Sequence, residues 1–202
     1  MSGLFGDASA RAAGRAGRVV SLRVARSERA PSILAGGLIT CRAAVSSAEL
    51  AAQQDIRHAV FVAEQAVFQE SDHDAHDDDS EVIHLLGRYA GDLAGAVRLF
   101  PLDHAEGLWQ GDRLCVLRPY RVHGVGAPLV RCAVATAGAH GGTRMVAHIQ
   151  APNVAFFVHL GWHAEGDAEL YVGLPHQRMS IDLPSPDVGA RTMRELSAGI
   201  RH

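Results

Sequence analysis

Arg121, Gly124 and Gly126 stand at the spacing Arg-x-x-Gly-x-Gly, which can hold a phosphate. They close the stretch Leu114-Cys115-Val116-Leu117-Arg118-Pro119-Tyr120-Arg121-Val122-His123-Gly124-Val125-Gly126-Ala127, which reads as a strand passing through a basic turn into a helix. The first turn of a helix presents backbone N–H groups without intrahelical partners, at the positive end of the macrodipole. Two residues without Cβ let a diphosphate approach that backbone, and the guanidinium groups of Arg118 and Arg121 suit phosphate oxygens. The N–H that Pro128 lacks would be an orphan donor in any case. Two nucleotide motifs are excluded. The P-loop requires a lysine, and the chain has none; the dinucleotide fingerprint requires a third glycine where Leu129 stands. A plain glycine turn before a core helix has the same form, so the hexapeptide alone leaves both readings open.

A second constellation is acidic: Asp72-His73-Asp74-Ala75-His76-Asp77-Asp78-Asp79. It lacks the glycine and terminal glutamate of an EF-hand loop, and no two of its histidines fall at i, i+4 on a recognisable helix. A solvated acidic loop is the favoured expectation over a metal site. A third reading is steering, in which the carboxylates attract a cationic amine.

The elements that must position these groups follow from periodicity. Residues 39–45 have strand character, and Ser46-Ser47-Ala48-Glu49 is a capping-box signal for a helix whose apolar face, Ile56, Val60 and Ala63, runs to about Gln65. Residues 66–80 form the acidic loop. Strands over 82–89 and 93–100 are joined by Ala90-Gly91-Asp92 as a hairpin. A loop over 101–109 leads to a strand over 112–117 and the glycine turn. The next helix carries Leu129, Val130, Ala133, Val134 and Ala137 on one face to about His140, where Gly141-Gly142 ends it. A strand over 144–150, a short helix over 154–160, strands over 163–172 and 178–183, and a tail with a Pro-Ser-Pro break and a short helix complete the chain. The order β-α-β-β-β-α-β-α-β-β, without repeats, predicts an α/β protein with a mixed sheet.

Composition sets the bounds. The 202 residues, 48% of them apolar, suffice for one domain with its own core. Cys41, Cys115 and Cys132 are scattered and odd in number, which predicts reduced thiols in a cytoplasmic protein with no metal. No apolar run approaches the ~20 residues that span a bilayer, so no membrane partner is expected. Residues 1–38 hold six arginines against Asp7 and Glu28, whereas the rest holds 13 arginines against 20 acids. The acidic balance of that larger part argues against nucleic acid as a partner. The basic Gly/Ala/Arg-rich segment superficially resembles a transit peptide. A disordered extension, or a start codon placed too early, is the expectation.

Several ordered segments resemble one family. Arg121–Gly126 resembles the coenzyme A loop of the GNAT N-acetyltransferases. Ile56-Arg57-His58-Ala59-Val60-Phe61-Val62-Ala63-Glu64-Gln65 resembles the "(I/L)RxxVFxxEQ" helix of the ElaA/YjcF-like branch, where an acidic loop also follows. Asn153-Val154-Ala155-Phe156-Phe157-Val158-His159-Leu160-Gly161-Trp162 resembles the superfamily's "N..A..FYEKLGF" segment, and Gly173-Leu174-Pro175-His176-Gln177-Arg178-Met179 resembles "GIPHxxM". Within that branch the chain is most similar to the acetyltransferase-like family named for nitrogen starvation. The match spans 39–183 and leaves 1–38 and 184–202 outside it.

The resemblance implies a GNAT fold, a twisted mixed sheet that splays at the coenzyme A site. It implies transfer of an acetyl group from acetyl-CoA to an amine acceptor, expected to be a small molecule. Leu114, Cys115 and Val116 would meet the pantetheine amides through backbone groups. Arg121 and the backbone of Val122, His123, Gly124, Val125, Gly126 and Ala127 would hold the pyrophosphate. Asn153 would contact the pantetheine arm, cap its helix, or both. A base must take the amine proton, and Glu64, His84, His148 and His176 are the candidates. Glu64 also reads as a surface carboxylate, and His84 and His148 as half-buried strand histidines. His176 reads as a loop histidine at the domain edge. Phe157 would also border the cofactor, and it stands where the family's usual proton-donating tyrosine is found. That departure keeps a non-catalytic acyl-CoA-binding domain as a rival, beside an acyl-homoserine-lactone synthase that shares the "RxxVF" helix. Homodimers are common in the superfamily, and one is possible here.

Overall fold

The computed structural model describes residues 38–171 and 173–201, so the basic segment lies outside the described residues apart from Leu38. Strand β1 (Leu38–Ala43) leads to α1 (Ser47–Arg57), where the Ser46 hydroxyl accepts from the Glu49 N–H at 3.2 Å and the Glu49 carboxylate accepts from the Val45 N–H at 3.0 Å. One continuous α-helix was expected to Gln65. Instead the ladder widens after Arg57 into a π-helix, His58–Glu64. Such irregular turns are uncommon and concentrate at functional sites.

Strands β2 (Ile83–Tyr89) and β3 (Asp92–Asp103) form the expected hairpin, with Ala90 and Gly91 both at positive φ as a two-residue primed turn requires. The loop expected over 101–109 shrinks to a short turn, because β3 runs on and β4 (Leu108–Val116) starts early, with Trp109 opposite Pro101 and buried in the core. A 3-10 turn, Arg118–His123, precedes α2 (Gly126–Ala139), and Gly141 at φ 83° closes that helix. Strand β5 (Arg144–Gln150) and α3 (Val154–His159) follow. The two final strands expected are three: β6 (His163–Ala164), β7 (Glu169–Tyr171) and β8 (Leu174–Asp182). After Leu183 the chain forms α4 (Pro186–Ala198) and β9 (Ile200–Arg201), and buried Leu196 joins the main core.

The sheet order is β6-β8-β5-β4-β3-β2-β1-β9, with β7 also paired to β8. Among the described residues only β4 and β5 run parallel. Alternation along the strands divides the core in two. Leu85, Val97 and Leu99 join the cluster containing Leu129, Val130 and Ala133 of α2, whereas Leu86 and Ala96 join Ile56, Val60 and Phe61 on the other face. We call these the rear and front faces.

Candidate functional site

The parallel pair β4–β5 holds together only at Leu108–Arg144, Trp109–Met145 and Gln110–Val146. Beyond Gln110 the two strands part. On its other edge β4 carries a bulge: the step from Ala96 to Arg98 on β3 faces the step from Cys115 to Asp112, one residue longer. Arg113 sits in that bulge at φ 52°, a strained conformation for a side chain with a Cβ. A cavity of about 150 Å³ opens where the strands separate.

The cavity's lining is divided by face. Asp112, Arg113, His148 and Gln150 belong to the front, with Gln65 and the rings of Phe61 and Phe68. Val97, Leu114, Val130, Ala133, Met145, Ala147, Ile149, Phe157 and Trp162 line it from the rear and belong to the main core. Burial pushes the Cys115 thiol up to about 12, so beside this cavity it stays a protonated, unreactive core group.

The glycine turn lies just past the end of β4. Gly124 adopts φ 70°, ψ 21°, a left-handed conformation that glycine takes without strain, and the next residues enter α2. No side chain caps α2, so its leading N–H groups keep the anion-binding character expected of them. A Cβ on Gly126 would lie 3.5 Å from the Phe156 ring. His123 stacks on Tyr89 with ring centroids 4.1 Å apart, which ties the turn to β2. Val122 is exposed on its outer side. The Arg121 guanidinium is engaged elsewhere: it donates to the Val116 carbonyl at 2.9 Å and to both Glu64 carboxylate oxygens at 2.7 and 2.9 Å.

The four candidate bases separate. Glu64 grips Arg121, whose hydrogen bonds hold its carboxyl below the usual range, and it does not line the cavity. His84 is buried on the front face with Nε2 4.0 Å from an Asp77 oxygen; burial depresses its basicity against the opposing pull of Asp77, and it too stands off the cavity. His148 and His176 do line the cavity. His148 Nε2 is 3.1 Å from the Glu169 carboxylate. His176, expected in a loop, is a buried residue of β8 directly opposite Gln150. Its Nδ1 lies 2.9 Å from the Leu174 carbonyl; a carbonyl only accepts, so Nδ1 carries the proton and Nε2 of the neutral ring has the lone pair. Asn153 lines the cavity, but its side chain makes no capping bond to α3, which leaves the helix-cap role unfilled. Phe157 packs edge-on against Trp162, with ring centroids 5.3 Å apart.

The acidic segment is only partly solvated: Asp72, Asp74 and Asp77 are drawn into ion pairs, whereas His73, His76, Asp78 and Asp79 stay exposed, which corrects the expectation of a wholly solvated loop. Arg57 and Arg98 are fully buried, as is the Asp77 side chain. Arg57 donates to Asp72 at 2.6 Å and to both Asp77 oxygens. Arg98 takes Asp74 at 2.6 and 2.9 Å, Asp112 at 2.8 and 2.6 Å, and lies 2.8 Å from Asp77. Arg113 pairs with Asp72 at 3.2 Å and Asp74 at 2.9 Å while its guanidinium covers the Phe68 ring at 5.0 Å. Three guanidinium groups thus face four carboxylates. The Asp74 side chain accepts from the His76 N–H, and Asp77 accepts from the Asp74 N–H at 3.1 Å, closing a capping box on the short 3-10 turn Ala75–Asp78. Among the described residues no cluster of three or more His, Cys, Asp or Glu could hold a metal ion.

This network escaped the sequence reading, although a signal was present. Arg98 interrupts the apolar strand Leu93-Ala94-Gly95-Ala96-Val97-Arg98-Leu99-Phe100, and Arg57 lies beside Ile56 on an apolar helix face. A charge in such places requires a buried counter-charge, and the aspartates of 72–77 were the nearest unassigned supply.

The comparisons agree with this geometry. The chain is 29% identical over 128 residues to a Bacillus subtilis (strain 168) protein described as the uncharacterized N-acetyltransferase YjcF, covering 63% of this chain and 88% of that one. The fold matches Escherichia coli ElaA with a TM-score of 0.62 at 24% identity, over 70% of this chain and 98% of that structure. It matches an acyl-CoA N-acyltransferase from Pseudomonas aeruginosa with a TM-score of 0.61 at 26% identity, over 71% and 98%. The model of the acetyltransferase (GNAT) family matches residues 50–162, more than half of the chain, and the protein belongs to that family.

Proposed function

We propose that this acyl-CoA-dependent N-acyltransferase moves an acetyl group from acetyl-CoA directly to the amine of a small molecule, with His176 as the base. The observation that carries the reading is the parting of β4 from β5 beside an uncapped, glycine-opened helix, over one cavity that His148 and His176 also line. The pyrophosphate would lie on the leading N–H groups of α2, and the pantetheine arm would run along the unpaired edge of Leu114–Val116 past Asn153. A backbone N–H near Val116 would face the thioester oxygen as negative charge develops there.

The amine lone pair attacks the thioester carbonyl carbon, its proton passes to His176 Nε2, and the C–S bond breaks to give the amide and the thiolate. Phe157 has no proton to supply, so the thiolate leaves as such and takes its proton afterwards from solvent or from His176. Asp112 and Arg113 at the front wall are already paired, which leaves the amine to meet a nearly charge-balanced surface. Among the described residues no helix is long and apolar enough to cross a membrane. The three cysteines are buried free thiols, which fits a reducing cytoplasm.

Thermal shift and thiol release together test the reading. Acetyl-CoA at 100 times its Kd stabilises a protein that binds it only when folded by roughly 2.7 kcal/mol, a rise of about 5–11 °C in Tm. Free thiol should then appear only when an amine is added. Binding without thiol release across a broad panel of amines would leave a non-catalytic binding domain. No shift at all would end both readings.

A further inference from the structure

One guanidinium beside the coenzyme loop has more claimants than it can serve. Arg121 lies three residues before Gly124, in the turn that carries β4 into α2. Its Nε donates to the Val116 carbonyl at 2.9 Å, and Nη1 and Nη2 donate to the two Glu64 oxygens at 2.7 and 2.9 Å. A guanidinium offers an oxyanion two bidentate edges, Nη1 with Nη2 and Nε with Nη2. Glu64 takes the first edge and Val116 takes half of the second. A phosphate gripped through two parallel bonds must therefore displace at least one of them.

Val116 stands where the coenzyme would. The Leu117 N–H donates to the Ala94 carbonyl of β3 at 2.8 Å, so by strand alternation the Val116 carbonyl turns to the opposite edge, left open where β4 parts from β5. The pantetheine arm would follow that edge, and its amide N–H groups need acceptors. Glu64, by contrast, lies outside the cavity, at the last residue of the π-helix His58–Glu64, where a helix dipole disfavours negative charge. The Arg121 hydrogen bonds first, then the charges of Arg121 and Arg118, hold the Glu64 carboxyl below its ordinary value. Arg118 thus stays beside the carboxylate when Arg121 leaves. The two side chains are 41% and 34% exposed, so the exchange opens no core.

We infer that Glu64 is an internal competitor for the coenzyme: its carboxylate occupies the Arg121 fork that the diphosphate takes over, and the same exchange uncaps the Val116 carbonyl for the pantetheine arm. The inference rests on the acyl-CoA reading and adds to it a residue, outside the cavity, that sets donor affinity. A diphosphate carries more negative charge than one carboxylate and also meets the leading N–H groups of α2, so it wins the exchange. It binds less tightly than it would with Arg121 free.

The test is a double-mutant cycle on the full chain. Wild type, Glu64→Gln, Arg121→Ala and the double variant are titrated with CoA by calorimetry at low and high salt, with circular dichroism to check folding. Exposed ion pairs shift an equilibrium by up to about fivefold, so Glu64→Gln should tighten CoA about three- to fivefold at low salt. The gain should shrink at high salt, where exposed charges are screened. Arg121→Ala should weaken CoA about tenfold, and in that background Glu64→Gln should change affinity by less than about 1.5-fold, because the contested fork is gone. One readout needs no variant: the Arg121 Nε–H signal of the wild type, followed by NMR, should move on saturation with CoA. Unchanged or weaker CoA binding by Glu64→Gln, an equal gain with and without Arg121, or an Nε–H signal that CoA leaves in place would each overturn the inference. Each leaves the N-acyltransferase reading standing. Failure of the wild type to bind CoA or acetyl-CoA would overturn both.

Discussion

Asp77→Asn separates a structural acidic cluster from one that steers substrate. In the wild type the Asp77 carboxylate, fully buried, accepts both terminal nitrogens of Arg57, stands 2.8 Å from Arg98 and receives the Asp74 N–H. Asparagine keeps the shape but removes the charge and turns one acceptor into a donor facing guanidinium. Two fully buried arginines then lose their shared counter-ion. Breaking a buried pair from one side destabilises by about 3–5 kcal/mol, a large part of the ~5–15 kcal/mol of a typical domain. For a chain of this length that is a fall in Tm of about 6–20 °C, read by calorimetry or circular dichroism at pH 7.

The pH dependence adds a second signature with a definite sign. Burial alone would raise the Asp77 carboxyl, but the Arg57 bond, the Asp74 N–H and the charges of Arg57 and Arg98 hold it well below its ordinary value. A depressed carboxyl contributes stability that is complete above the unfolded value of about 3.9 and disappears as pH falls toward the folded one. Wild-type Tm should therefore begin to fall below about pH 5 and fall most steeply below about pH 4, and the Asn variant should fall less, so the two curves converge in acid. Salt should change the gap little, because buried pairs are weakly screened. An Asn variant with Tm within 2 °C of wild type, and an acceptor KM that rises mainly at low salt, would refute this reasoning and restore steering.

Three further outcomes follow from the site. Gly124→Glu forces a Cβ onto φ 70° and sets a carboxylate beside the expected diphosphate, so CoA affinity should drop by more than about 100-fold by calorimetry while circular dichroism stays native. Retained affinity would place the phosphates elsewhere. His176→Gln should lower kcat by about 10²–10⁴-fold and remove the limb of the rate profile on which the base is protonated; a full rate with the limb intact would assign the base elsewhere, with His148 next. Glu64→Gln removes the carboxylate that grips Arg121 but touches no cavity wall, so kcat should change by less than about threefold, and a loss of 100-fold would return Glu64 to the chemistry.

Much of the fold was legible because its signals are local. Ser46 and Glu49 mark a helix start through bonds that span four residues, and Gly141 marks a helix end, so both boundaries could be read in place. The Gly124 turn was legible for the same reason. The misread parts depend on partners distant in the chain. Strand β4 starts at Leu108 only because β3 continues opposite it, and His176 lies in a strand only because Gln150 of β5 pairs with it. The acidic segment is the strongest case. Taken alone, Asp72 to Asp79 can only look solvated, since nothing within it offers a cation. The cations arrive from α1, β3 and the β4 bulge, 15 to 41 positions away along the chain. Arg98 carried the missing information: a guanidinium amid alanine, valine and leucine on a central strand is affordable only against buried carboxylates. Its position therefore implied where the aspartates go. Asp72, Asp74 and Asp77 latch the segment bearing Phe68 over the front of the cavity, so their contribution to function is the wall they hold.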